Sequence, residues 1–238
     1  MKKIKKILNM DITQEIHINE ESQLAALIAL VPMLVFSFFF STGLVSAAET
    51  TDLSQSITGA LDVKIVDGSG NEVASPNVAF ASKNFAATSQ TSAAVLGTAS
   101  EKMRVTNPRG NVATWSLNLA ATSGATSSWS NGTNNYDFND VTALAADGGD
   151  GDSIGGQLSI DPSAGTLAGV GTTSGANVSL GAASAFNEGT VDSIDILSAA
   201  AGAQKPGVWD LTGVNISQSI PGMQATGSYT INMTLTAI

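Results

Sequence analysis

Three aspartates stand within six residues in Asp147-Gly-Gly-Asp150-Gly-Asp152, separated only by glycine. Carboxylates at that spacing suit a hard divalent cation. Ca²⁺ takes six to eight oxygens and tolerates flexible geometry. Glycine lets the backbone fold back so that several carboxylates converge. Asn139 and Asp140, a few residues upstream, would supply further oxygens. The EF-hand pattern is not met, because the spacing differs and the closing bidentate Glu is missing. The expectation is a calcium site at Asp147, Asp150, Asp152, Asp140 and Asn139, with an extracellular-type Kd of about 10⁻⁴–10⁻³ M. The alternative is a solvated acidic loop.

Elsewhere the chemistry is thin. The chain of 238 residues has no Cys and a single His, His17. Disulfide scaffolds, Cys-bearing zinc sites and cysteine nucleophiles are therefore excluded. Ten Lys and Arg against 20 Asp and Glu argue against a basic nucleic-acid binder. If the first 48 residues are removed, His17 leaves with them. Ser-His-Asp catalysis, histidine proton shuttling and most transition-metal sites then go too. A carboxylate-only glycosidase would remain. Such enzymes usually line a sugar cleft with aromatics, and no aromatic cluster is visible here. The expectation is a protein that is not an enzyme.

The elements that would position the aspartates begin after an N-terminal apolar segment. No residue from Ser22 to Ala48 is charged. Lys2, Lys3, Lys5 and Lys6 precede it, and Ser46 and Ala48 fit a small-residue cleavage site. Residues 1–48 read as a secretory signal. Two alternatives stay open: an uncleaved membrane anchor, since the stretch exceeds the roughly 20 residues a bilayer requires, and a retained pilin-type helix. Four carboxylates and four lysines lie in this segment, so its removal leaves the net charge at −10. Residues 49–238 form the expected mature domain.

That domain is rich in Ala, Gly, Ser and Thr, and its apolar residues recur with a period of two. Alternating segments are expected at residues 61–65, 103–106, 112–119, 157–160, 191–196, 208–211, 214–217 and 229–235, with a short strand at 78–80. Asp67-Gly-Ser-Gly-Asn71 and Asn107-Pro-Arg-Gly110 read as turns. One short helix is expected at 141–146, with Asp140 as its N-cap. The fold class is all-β: a single, Greek-key-like β-sandwich with long Gly/Ser/Thr/Asp-rich loops. Trp115-Ser-Leu117 and Trp209-Asp-Leu211 share a W-x-L step. On a strand this puts both large side chains on one face. Two core anchors are expected, with ligand-binding tryptophans as the alternative.

The order of these segments resembles the WxL surface-domain family of bacterial cell envelopes. The resemblance runs from the strand at residues 57–63 through Met103-Arg-Val-Thr-Asn-Pro-Arg-Gly110 and Trp115-Ser-Leu-Asn-Leu119. It closes with Gly227-Ser-Tyr-Thr-Ile-Asn-Met-Thr-Leu-Thr236. Tyr229-Thr230 matches the closing element of the family, but Leu235 stands where the family has the tryptophan of its second W-x-L. The resemblance implies a β-sandwich, an extracellular or cell-surface address and a non-enzymatic role.

The expected function is a secreted structural cell-surface protein, associated with the envelope through this sandwich. Its partners would be the cell wall or other surface proteins, with no nucleic acid and no membrane contact beyond an uncleaved N-terminus. The alternative is a subunit of an extracellular filament, a homopolymer made by strand addition of the mature N-terminus. There Leu53 and Ile57 are sparse apolar residues in a polar stretch.

Overall fold

A computed structural model describes residues 54–140 and 155–238. The chain divides into two compact units, residues 1–55 and 56–238. All but residues 54 and 55 of the first lie outside the described residues. The apolar N-terminal segment is therefore outside them.

The second unit is antiparallel β throughout its described residues. Its strands are β1 (Asp62–Val66), β2 (Gln90–Leu96), β3 (Lys102–Asn107), β4 (Trp115–Ala121), β5 (Ser128–Ser130), β6 (Asn135–Asp137), β7 (Asn139–Asp140) and β8 (Gly156–Asp161). After a single 3-10 turn at Pro162–Ala164 come β9 (Thr166–Gly169), β10 (Val178–Leu180), β11 (Ser184–Ala185), β12 (Ser193–Ala199), β13 (Gly207–Thr212), β14 (Val214–Ile220) and β15 (Met233–Ala237). The first sheet runs β1-β3-β13-β9, the second β11-β8-β14-β2 and the third β10-β12-β4-β15. β7 pairs with β8 beside β11, and β5 and β6 form a separate hairpin.

The first two sheets are built from strands that follow one another in the chain. β8, β14 and β2 stand in the second sheet in the order that β9, β13 and β3 take in the first. Three passages of chain thus turn from one sheet into the other, the way a sandwich makes its corners. The tightest passage is Gly213, between β13 and β14, at φ 79°. That left-handed conformation is accessible to glycine at little cost. Its N–H donates to the Gly97 carbonyl at 2.7 Å, tying this corner to the one between β2 and β3.

The core follows from period-two alternation. In β4 the residues Trp115, Leu117, Leu119 and Ala121 are buried, and those between them are half-buried. Met103 and Val105 of β3, Trp209 and Leu211 of β13, and Leu158 and Ile160 of β8 face the same interior. β12 breaks the alternation. Its register against β4 shifts between Asp195 and Leu197, and Ile196 and Leu197 are both fully buried. A bulge leaves one extra residue unopposed, so two successive side chains reach the core.

Several expected elements differ. Residues 78–80 are not a strand; Val78 and Phe80 pack half-buried on the core from an irregular segment. The last strand begins at Met233, while Thr230 makes only an isolated bridge with Ser130. Residues 112–114 precede β4 without joining it. Asp140 lies in β7, paired with Gly156, and the helix expected at 141–146 lies outside the described residues.

Candidate functional site

Of the expected calcium ligands, Asp147, Asp150 and Asp152 lie outside the described residues. Asn139 and Asp140 are both buried, in β7. Asn139 pairs with Gln157 across the ladder, and its Nδ2 donates to the Ala125 carbonyl at 2.9 Å. Its amide thus holds the chain that precedes the β5–β6 hairpin.

Beside them the fold builds a polar floor. Gln218, in β14, is 1% exposed. Its Nε2 donates to the carbonyls of Asp137 (2.9 Å) and Ser219 (2.7 Å), and its Oε1 accepts from Trp129 Nε1 at 2.8 Å. A buried amide left without partners would cost about 1–3 kcal/mol; here the N–H and C=O functions are both engaged. Gly156 is needed for this close packing, because a Cβ there would overlap the Asp137 carbonyl.

Above this floor is a cleft of about 380 Å³, with Phe80, Trp129, Tyr136 and Tyr229 in its wall. Trp129 and Tyr136 stack across the hairpin at 5.9 Å with planes 10° apart. Phe80 meets Trp129 edge-on at 5.3 Å, and Tyr229 meets Tyr136 at 5.1 Å. This corrects the reading that no aromatic cluster exists. The four rings are scattered from residue 80 to 229, so proximity in sequence could not reveal them. The readable signal was Trp129 and Tyr136 flanking Asn131-Gly-Thr-Asn-Asn135, a hairpin pattern of turn residues between aromatics. Burial, with a smaller contribution from Tyr229, raises the Tyr136 phenol, so it stays neutral at ordinary pH. Among the described residues, Lys83 is the only charged one in the lining. Tyr136 stacks on one face of Trp129 and Phe80 meets it at right angles, so the cluster packs the segment at residues 76–86 against the hairpin.

A second concavity, about 320 Å³, combines apolar side chains with the polar Asn77, Glu101 and Asn232. Leu96, Leu119, Leu158, Ile160 and Ile216 line it, together with Met233 and Leu235 of β15.

Trp115 and Trp209 are buried, and their rings stand 5.2 Å apart, linking the third sheet to the first. Next to Trp209, Asp210 accepts from Arg104 Nε at 2.7 Å and Nη2 at 2.9 Å, and from Lys102 Nζ at 3.0 Å. Burial alone would raise the Asp210 carboxyl. The hydrogen bonds and charges of Arg104 and Lys102 outweigh it and hold the group below the usual carboxylate range.

No family model, curated protein or solved structure matches this chain.

Proposed function

We propose that this chain is a secreted, non-enzymatic structural protein of the bacterial cell surface, associated with the envelope through a WxL-like sandwich. One observation carries the reading. Two of the segments that carry the WxL resemblance, residues 115–119 and 227–236, meet in one sheet. β15 pairs with β4 along its length, with Leu235 opposite Leu119 and Thr234 opposite Ala120. Two of the segments that resemble the family are thus direct neighbours in the sheet, which supports the reading. The uncharged N-terminal apolar stretch fits export of that unit. Fractionation of the producing cells with salt washes tests the proposal. Recovery with the washed envelope is expected. Recovery solely as free monomer in the medium overturns it.

A second reading is a filament subunit assembled by strand addition of the mature N-terminus. The observation that favours it is Ile57, 90% exposed in a segment that belongs to no strand.

A further inference from the structure

The acceptor for that N-terminal segment can be located, an inference that rests on the filament reading. β15 is an edge strand, hydrogen-bonded on one side to β4; on the other side β1 comes near without pairing, and no named strand among the described residues is hydrogen-bonded to it. Its Met233 and Leu235 are half-buried and line the groove of the second concavity together with Leu96, Leu119, Ile160 and Ile216, and with the polar Asn77, Glu101 and Asn232. A free ladder edge beside a row of partly covered apolar side chains is what an added strand requires: backbone pairing supplies affinity, and alternate side chains fill pockets.

The same chain carries a segment of matching form. Residues 56–60 are all exposed, and their backbone makes no hydrogen bond to another described residue. They continue β1 outward. In β1, Val63 and Ile65 turn towards the core, as does Leu61 just before it, and Ile57 has the same parity. Gly59 marks where the segment passes the body, since a Cβ there would lie 2.6 Å from the Pro108 side chain. Beyond Gly59, whose face meets Pro108, Ile57 stands 90% exposed, and no described residue covers it.

The segment cannot readily serve its own groove. It leaves β1 at the Asp62 end, whereas the groove meets β1 at Ile65. We propose that residues 56–60 of one copy add as a strand to the free edge of β15 in a second copy, with Ile57 entering the groove beside Met233 and Leu235. Donor and acceptor are different surfaces, so the contact is head-to-tail and does not close on itself in a pair; repeated, it makes a ring or a filament.

The chain has no cysteine, so introduced thiols are the only ones present. Full-length chains exported from expressing cells are mixed as two single-thiol variants, Ile57→Cys and Met233→Cys, and oxidised gently. A disulfide between them must be intermolecular. Its yield should exceed that of Ile57→Cys mixed with Ser179→Cys by about tenfold or more, because docking raises the local thiol concentration. Ser179 is exposed on β10, the opposite edge of the third sheet. In parallel, Ile57→Asp should abolish concentration-dependent assembly in light scattering while leaving the thermal midpoint unchanged, since the residue is exposed. Equal cross-linking to both positions overturns the proposal. So does unchanged assembly of Ile57→Asp, or a parent chain that stays monomeric at every concentration. A monomer retained on washed envelopes overturns this inference and leaves the surface reading standing; filaments found only in the medium do the reverse.

Discussion

Trp115-Ser-Leu117 and Trp209-Asp-Leu211 use the same two-residue step, and both tryptophans and both leucines are buried. Their surroundings differ in how polar atoms are handled. Trp209 Nε1 donates to the Ser174 carbonyl at 2.9 Å, whereas Trp115 Nε1 is buried with no hydrogen-bond partner among the described residues. The residue between the two anchors differs as well. Ser116 is half-buried and contributes its backbone, which exchanges hydrogen bonds with Ile238. Asp210 is buried and holds Arg104 and Lys102 of β3 across the ladder. Apolar spacing defines the shared framework, and the polar partners, which come from distant segments, make the two sites unequal.

The largest effect tests what they share. Trp115→Ala and Trp209→Ala should each cost about 3–5 kcal/mol in chemical denaturation, the range for removing a fully buried large aromatic. A loss under about 1 kcal/mol at either site would mean that its ring does not anchor the core. Because the rings touch at 5.2 Å, the double variant should cost less than the sum, and a strictly additive result would break the link between the two sheets.

The next effect sharpens the contrast between the intervening residues. Asp210→Ala leaves two half-buried cations facing an empty position. It should cost about 2–3 kcal/mol at neutral pH, as for hydrogen bonds to charged groups, against no more than about 0.5 kcal/mol for Ser116→Ala. The pH dependence has a definite sign. The folded-state Asp210 carboxyl lies below its unfolded value. Its stabilisation is therefore present above the unfolded carboxylate pKa of about 3.9 and is lost as pH falls through the folded value. Asp210→Asn should flatten the acid limb of the stability curve over that window. An unchanged acid limb would show that the pair contributes nothing measurable.

Much of this framework could be read in the amino-acid order, and the reasons are local. β3, β4, β8 and β14 alternate, and period-two patterning marks a half-buried strand wherever it survives. β2 was missed, because Gln90-Thr-Ser-Ala-Ala-Val-Leu96 carries small residues whose burial depends on what crosses them. β12 was placed too early, because its bulge spoils the alternation. The cleft was unreadable for a different reason: Phe80, Trp129, Tyr136 and Tyr229 are brought together by tertiary packing alone. The acidic loop was the clearest motif in the chain, yet only Asn139 and Asp140 of its expected ligands fall in described strands.

A smaller effect probes the packing above Trp209. The indole folds back over Gly207, two residues earlier on the same face, so that a Cβ at Gly207 would overlap its ring. Gly207→Ala should therefore cost about 1–3 kcal/mol, the range for overpacking a well-filled site. Trp115 has no such neighbour: the preceding residue of the same parity is Ala113, which already bears a Cβ and is buried. If Gly207→Ala is neutral, the ring moves aside easily and the two tryptophans are more alike than their contacts suggest.

The finest distinction is the indole N–H itself. Replacing each tryptophan by phenylalanine removes part of the ring and the N–H together, and the loss of ring volume should be similar at both sites. At residue 209 the substitution also breaks the hydrogen bond to the Ser174 carbonyl, a neutral bond worth about 0.5–1.5 kcal/mol net. Ser174 is exposed, so its freed carbonyl can turn to water. At residue 115 the N–H has no partner to lose, and removing a buried unsatisfied donor relieves a penalty of about 1–3 kcal/mol. The two terms act in the same direction. Trp115→Phe should therefore be the milder change by about 1.5–4.5 kcal/mol, measured as the difference between the two variants in the same denaturant. Equal losses would mean that Trp115 Nε1 is satisfied in solution, by a water or by a partner outside the described residues. A milder Trp209→Phe would mean that neither the Ser174 hydrogen bond nor the unpaired Trp115 N–H has the stated effect, and the polar half of the comparison would fail while the shared apolar framework stood.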